Sequence, residues 1–112
     1  MQFALRIICN RRITETVKKR LSLLTNYLCI SNDLSFSPYW KDDECDIFEL
    51  DTKIENPDYS EIQQYIQDIS GAVNTSQRCV ADEWECAYFA SHDDLHSSKD
   101  SAFVVCNIFN VK

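Results

Sequence analysis

Residues 45-CDIFELDTKIE-55 decide the fold class, because apolar and charged side chains alternate along them. One set of alternate positions is mainly apolar and consists of Phe48, Leu50, Thr52 and Ile54. The other set is charged and consists of Glu49, Asp51, Lys53 and Glu55. Since successive side chains of a strand point to opposite faces, this pattern predicts a strand with one buried and one solvated face. Such strands are typical of antiparallel sheets.

The chain before this strand predicts a strand, a helix and another strand. Met1–Cys9 alternates well enough for a strand. A helix then begins at Arg11 or Arg12 and ends at Leu28, because its apolar residues recur at steps of three and four. Asn10 can cap its first turn. Residues 34–41 predict a strand at an edge or a bulge, since proline at position 38 has no N–H to pair.

The chain after it predicts a second helix and two more strands. Asp58 followed by Glu61 approximates a capping box, and Gly71 suits a left-handed C-terminal cap. Cys79–Ala90 and Ala102–Val111 predict strands, joined by a polar loop. We therefore expect one α+β domain over residues 1–112. Its order is β-α-β-β-α-β-β, with an antiparallel sheet of about five strands and two helices on one face, a ferredoxin-like (split β-α-β) variant.

Composition excludes several classes of protein. The 112 residues include one glycine, which cannot build a phosphate-binding loop. No apolar stretch approaches the roughly 18 residues of a membrane span. The N-terminus lacks the features of an export signal, so we expect a cytoplasmic protein. The six cysteines form no C-x-x-C pair, and in a reducing compartment we expect free thiols.

The sequence contains no complete catalytic signature, and we expect neither enzymatic activity nor a cofactor. The segment 92-HDDLH-96, with Cys79 or Cys86, has the residue types of a metal site. Its two imidazoles would converge only on a helix, whereas the segment has the composition of a polar loop. We therefore expect no metal. One alternative is a ligand-binding or enzymatic domain, with a pocket between sheet and helices lined by Tyr59, Tyr65 or Tyr88.

Charge is unevenly distributed along the chain. The net charge is −7, although residues 1–30 carry six bases and one acid. Residues 31–112 carry five bases and seventeen acids. A split β-α-β sheet often binds RNA through aromatic residues with bases around them, but here phosphate would be repelled over most of the surface. We expect no direct binding to nucleic acid.

Two stretches surround aromatic residues with acids: 39-YWKDDECDIFELD-51 and 82-DEWE-85. Acids at an interface steer a basic partner, and Trp and Tyr anchor it. The alternation leaves two positions open for Trp84, in the core or among the acids. The candidate partner-binding residues are Trp40, Asp42, Asp43, Glu44, Asp46, Glu49, Asp51, Asp82, Glu83, Trp84 and Glu85.

Taken with its size and acidity, the chain resembles the immunity proteins of bacterial polymorphic or contact-dependent toxin systems. The resemblance is one of kind and attaches to the stretches 42-DDE-44, 49-ELD-51 and 82-DEWE-85. It implies a monomer or weak dimer that binds and neutralises a cognate toxin, with a basic nuclease domain as the expected partner. Because no apolar stretch is long enough for a membrane span, we also expect no contact with membranes. An adaptor that binds another basic protein is the remaining alternative.

Overall fold

The computed structural model describes residues 1–31, 33–71, 75–80, 83–96 and 100–110, of which residues 75–80 and 92 are described by their backbone alone. The chain begins with strand β1 (Gln2–Asn10), a 3-10 turn (Arg11–Ile13) and helix α1 (Thr14–Tyr27). The elements that follow are β2 (Ser37–Pro38), β3 (Cys45–Lys53), α2 (Tyr59–Ser70), β4 (Thr75–Val80), β5 (Glu83–Tyr88), the single-turn helix α3 (His92–Leu95) and β6 (Ala102–Phe109).

The strands form one sheet in the order β2-β3-β1-β6-β5-β4. Every neighbouring pair is antiparallel. The prediction of an α+β fold with an antiparallel sheet is therefore confirmed. The predicted ferredoxin-like strand order is wrong on one side of β1, because the last strand, β6, lies beside β1 and the first strand after α2, β4, lies at the far edge of the sheet.

The strand between α1 and β3 is shorter than predicted. The strand predicted over residues 34–41 is reduced to Ser37–Pro38, at the edge of the sheet. Cys45, at the start of β3, pairs with Asn10, at the end of β1, so β3 runs antiparallel to β1, as in a split β-α-β sheet. The strand order differs on the other side of β1, where β6 lies in the place expected for the first strand after α2.

The strand predicted over Cys79–Ala90 is a hairpin rather than one strand. Its N-terminal part belongs to β4, and Val80 pairs with Glu83 at the start of β5. The two residues between them, Ala81 and Asp82, contain no Asn-Gly or Asp-Gly pair, the strongest sequence signal for such a turn. The fifth predicted strand corresponds to β6, and its predicted end at Val111 lies outside the described residues.

Helices α1 and α2 cover one face of the sheet, as predicted, and the core lies between them and the strands. The fully buried side chains come from both layers and include Phe3, Ile7, Val17, Leu21, Ile62, Ile66, Val104 and Ile108. Trp84 also lies in this core, 5% exposed, with its ring centroid 5.3 Å from that of Tyr59. Within the described ranges, no helix has both the length and the apolar character needed to cross a bilayer.

The predicted caps of α2 are confirmed. The Asp58 carboxylate accepts a hydrogen bond from the backbone N–H of Glu61 at 3.2 Å. Gly71 ends the helix with a φ of 60°, a left-handed conformation that an L residue adopts only at a cost. The same end of α2 is tied to the sheet, since the Ser70 hydroxyl donates to the backbone carbonyl of Ala102 at 2.7 Å.

Candidate functional site: the uncovered sheet face

Within the part of the chain that the structure describes, no helical layer covers most of the sheet face opposite α1 and α2. Residues that pair directly across antiparallel strands point to the same side. The pairing of Arg6 with both Glu49 and Val105 therefore places these three side chains on the uncovered face. The same register adds the following residues: Ala4, Ile8, Ile47, Asp51, Phe103 and Asn107.

Two adjoining cavities lie on this uncovered face. One has a volume of about 460 Å³ and lies over the centre of the sheet, between Asp51 and Val105. The other, of about 410 Å³, is lined by Tyr39 and Leu95 at the end of the sheet where β3 begins. Arg6 and Phe103 contribute to both, so the cavities form one groove. Its floor is partly apolar, and charged side chains surround the floor.

On the uncovered face of the central strands, Arg6, Glu49 and Asp51 make exposed contacts. The Arg6 guanidinium lies 3.6 Å from the Glu49 carboxylate, and both side chains are more than half exposed. The Gln2 amide donates to the Asp51 carboxylate. Exposed ion pairs contribute little to stability, typically about 0–1 kcal/mol. These carboxylates can therefore exchange their present contacts for those of a partner at little cost.

The turn between β2 and β3, whose residues Tyr39 and Lys41 line one end of the groove, also exposes a large aromatic side chain. Trp40 is 81% exposed, and the Lys41 ammonium lies 4.7 Å from the centroid of its ring. The turn is ordered by backbone hydrogen bonds, from the Asp42 N–H to the Tyr39 carbonyl at 3.2 Å and from the Cys45 N–H to the Asp42 carbonyl at 3.1 Å. The indole is thus displayed on an ordered turn rather than on a loose loop.

A second segment, which follows β5 in the chain, contacts this turn. The Asn10 amide donates to the backbone carbonyl of Leu95 at 2.9 Å, which ties the end of α3 to the end of β1. His96 then places Nε2 2.5 Å from Asp42 Oδ2 and Nδ1 against the Glu44 carboxylate. We call these side-chain contacts of His96 with Asp42 and Glu44 the histidine clip.

The histidine clip shifts the protonation of its own members. Hydrogen bonding to Asp42, with a smaller contribution from Glu44, raises the pKa of His96 above its ordinary value. The hydrogen bond from His96 lowers the pKa of Asp42, as does the backbone N–H of Glu44. Both shifts favour the charged forms, an imidazolium beside the Asp42 carboxylate.

Cys45 lies beneath the clip and is fully buried. Its thiol donates a hydrogen bond to Asp42, and burial followed by the charge of Asp42 raises its pKa to about 12. The thiolate is the nucleophilic form of cysteine, and at neutral pH this thiol keeps its proton. The Cys45–Asp42–His96 arrangement therefore lacks the activated thiol of a cysteine nucleophile.

Most of the predicted partner-binding acids are accessible, whereas Asp42, Asp46 and Trp84 are enclosed or buried. The exposed ones are Asp43, Glu44, Glu49, Asp51 and Glu83, while Glu85 is half-buried. Asp42 is largely enclosed by the histidine clip. Asp82 lies outside the described residues.

Asp46 and Trp84 correct the sequence analysis. Asp46 is 8% exposed and accepts hydrogen bonds from Arg11 Nε and Thr14 Oγ1, each at 2.9 Å. It pairs with Cys9, whose side chain points toward the helices, so it cannot face a partner from the other side. The register of its strand likewise directs the Trp84 side chain into the core. Neither residue belongs to the candidate partner-binding surface.

The pocket that the sequence placed between sheet and helices is not one of the two cavities of the groove. Tyr88 is 1% exposed and belongs to the core. Tyr65 packs against Tyr27 with ring centroids 5.0 Å apart, and Tyr59 packs against Trp84. None of the three predicted tyrosines lines the groove.

Sequence reasoning missed Phe103 and Phe89, which extend the apolar part of the uncovered face. Their ring centroids lie 5.5 Å apart, and Phe89 is 44% exposed. The alternation of 102-AFVVCNIF-109 contained the signal, because Phe103 and Val105 are out of phase with the core positions Val104 and Cys106.

No protein family, curated protein or solved structure matches this chain.

Proposed function

We propose that this chain is a protein-binding inhibitor of the immunity type, which binds a basic toxin domain through its uncovered sheet face. The observation that carries the proposal is the groove on that face, with its partly apolar floor and the carboxylates of Glu49 and Asp51 beside it. The exposed indole of Trp40 lies between Tyr39 and Lys41 in the chain, and these two residues line one end of the groove. An exposed aromatic next to a concave apolar surface is the arrangement found at the centre of protein interfaces.

Charge selects the kind of partner. Residues 31–112 carry a net charge of −12, from seventeen acids and five bases. A surface that carries such an excess of acids attracts basic proteins and accelerates their association. Proteins that act on nucleic acid carry basic surfaces for phosphate, so an array of carboxylates is a suitable counterpart for them. This supports a nuclease domain as the toxin.

The chemistry of the groove favours binding over catalysis. The buried thiol of Cys45 keeps its proton, and His96 is held between two carboxylates. In a general base the imidazole would be neutral near pH 7, whereas both neighbours of His96 favour its charged form. Inhibition by occupying a partner's surface requires no such group.

Co-expression with the protein encoded by the neighbouring reading frame tests the proposal. We expect that protein to be toxic when expressed alone, growth to be restored by this chain, and a 1:1 complex to survive size-exclusion chromatography. Trp40→Ala should weaken rescue without loss of folded protein. If the neighbouring product is harmless, or if it is toxic and this chain neither rescues growth nor binds it, the proposal is wrong.

A further inference from the structure

Three metal-ligating side chains converge beneath the histidine clip. Oδ of Asp42, Sγ of Cys45 and a ring nitrogen of His96 all lie within 4.8 Å of one another. In a tetrahedral zinc site, metal–ligand distances of about 2.0–2.3 Å separate neighbouring ligand atoms by roughly 3.3–3.8 Å. Side-chain shifts on the order of 1 Å would therefore bring the three atoms to zinc-binding distances.

The three ligands come from separate parts of the fold that already hold them together. Asp42 belongs to the turn before β3, and Cys45 is the first residue of β3. His96 follows α3, whose end is fixed to β1 by the hydrogen bond from Asn10 to Leu95. The site is thus assembled by the tertiary fold, and metal binding would not require these segments to move far.

The donor set selects the metal. A thiolate and an imidazole are ligands of zinc and of other late first-row ions, whereas calcium and magnesium prefer sites made of oxygen alone. Zinc sites with three protein ligands leave a fourth position to water or to another molecule. The second cavity of the groove includes Asp42, so a fourth position would lie beside it.

Glu44 supplies the feature that distinguishes a zinc-binding histidine from an isolated one. Zinc-ligating histidines usually donate their other ring N–H to a carboxylate or a carbonyl, which fixes the tautomer and the orientation of the ring. His96 directs Nε2 to the Asp42 side and Nδ1 to the carboxylate of Glu44. This is the carboxylate–histidine–metal arrangement, with the imidazole already oriented.

We infer that Asp42, Cys45 and His96 bind a divalent ion of the zinc class, with Glu44 orienting His96. The inference replaces our expectation from the sequence that no metal binds, and its ligands differ from the set considered there. Among the residues of 92-HDDLH-96 whose side chains are described, only His96 belongs to this cluster. Cys86 faces the core on the other side of the sheet. The side chains of His92 and Cys79 lie outside the described residues.

Binding of Co²⁺ and Zn²⁺ to the chelator-treated full chain tests the inference. We expect about one equivalent of Co²⁺ to produce a thiolate-to-cobalt charge-transfer band, which one equivalent of Zn²⁺ should abolish. Cys45→Ser should remove the band and weaken Zn²⁺ binding by roughly 100-fold or more. Glu44→Gln should weaken Zn²⁺ binding by roughly 10–100-fold while retaining the band, because loss of such an orienting carboxylate has that effect on affinity.

Two variants serve as matched controls. Cys29→Ser removes an exposed thiol remote from the site, and Asp43→Asn removes an exposed carboxylate adjacent to Asp42. Both should bind Zn²⁺ as the unmodified chain does. Circular dichroism of each metal-free variant shows whether it is folded, and His96→Gln replaces Cys45→Ser as the test if the serine variant is unfolded.

The absence of any Co²⁺ or Zn²⁺ binding would overturn the inference, as would binding that persists in both Cys45→Ser and His96→Gln. The result is independent of the proposed inhibition. The metal assay uses the chain alone, so a protein that binds zinc and rescues nothing, or rescues growth without binding zinc, separates the two conclusions.

Discussion

His96 Nε2 lies 2.5 Å from Asp42 Oδ2, and this contact joins residues 54 positions apart. It connects the segment after α3 to the turn that displays Trp40. Because Cys45 starts β3 directly below, the contact also arranges the proposed metal ligands. The imidazole of His96 therefore adds a side-chain link to the backbone hydrogen bonds that order this end of the uncovered face.

Replacing His96 with Gln in chelator-treated protein should open the turn locally. The backbone N–H of Cys45, which donates to the Asp42 carbonyl, should exchange its hydrogen faster, as should that of Asp42. Amides in the centre of β1 should exchange at unchanged rates. Hydrogen exchange followed by NMR measures both, with Asp43→Asn as the control. Equal protection of the turn in both variants would show that the clip does not order it.

Trp40 and Trp84 should respond oppositely to truncation. Trp84→Ala removes a core side chain that is 5% exposed and should lower the free energy of unfolding by roughly 3–5 kcal/mol. Trp40→Ala removes an 81% exposed side chain and should change it by about 0.5 kcal/mol or less. Urea denaturation measures both. A large loss of stability in Trp40→Ala would contradict its assignment as a displayed anchor.

Gly71→Ala should destabilise the protein by roughly 1–2 kcal/mol from its backbone conformation alone, because the φ of Gly71 is 60°. A Cβ there would also approach the backbone carbonyl oxygen of Asp100 to 2.9 Å. Gly71→Asn is the matched variant, since asparagine tolerates the left-handed conformation but carries the same Cβ. Thermal unfolding of the two separates the causes: equal losses indicate the contact with Asp100, and a milder loss for asparagine indicates the backbone conformation.

Buried thiols should make the fold sensitive to alkaline pH. Burial raises the pKa of both Cys9 and Cys86 from 9.0 to about 11. Below about pH 9 the thiols keep their protons in both folded and unfolded chains, so this contribution to stability is fully present. Between about pH 9 and 11 only the unfolded chain ionises. Each thiol should then lower the free energy of unfolding by about 1.4 kcal/mol per pH unit.

Urea denaturation across this pH range measures the alkaline slope. Cys86→Ala should make the slope shallower, whatever its effect on stability near neutral pH. Cys29→Ser changes an exposed thiol and should reduce the slope less than Cys86→Ala does. An identical slope in the unmodified chain and in a Cys9→Ala/Cys86→Ala double variant would refute the assignment to these thiols.

The sequence predicted those features of the fold that depend on local patterns. Alternation around Phe48 and the caps at Asp58 and Gly71 each act over a few residues, and each is found in the structure. The position of β6 beside β1, with β4 and β5 outside it, was not predictable in this way. It depends on pairing between strands that are far apart in the sequence.

The candidate site was predictable only in part, for the same reason. The exposure of Trp40 and of Glu49 agrees with the alternation of acids and aromatics in the sequence. The burial of Asp46 follows from its pairing with Cys9, a contact between distant strands. The contact of His96 with Asp42 is likewise tertiary, so the spacing of these residues in the sequence could not predict it.

Neutralising acids on the uncovered face should slow the association of the cognate toxin domain. The double variant Glu49→Gln/Asp51→Asn removes two charges beside the groove and releases Arg6 from its ion pair, so a basic partner meets less attraction and more repulsion. Electrostatic steering raises association rates by about 10–10³-fold at low salt, and a variant that loses part of it should lose part of that gain. The double variant Glu15→Gln/Asp68→Asn changes the net charge equally on α1 and α2 and should have a much smaller effect. Surface plasmon resonance at several salt concentrations measures association and dissociation separately, and equal association rates for the two double variants would place the interface elsewhere.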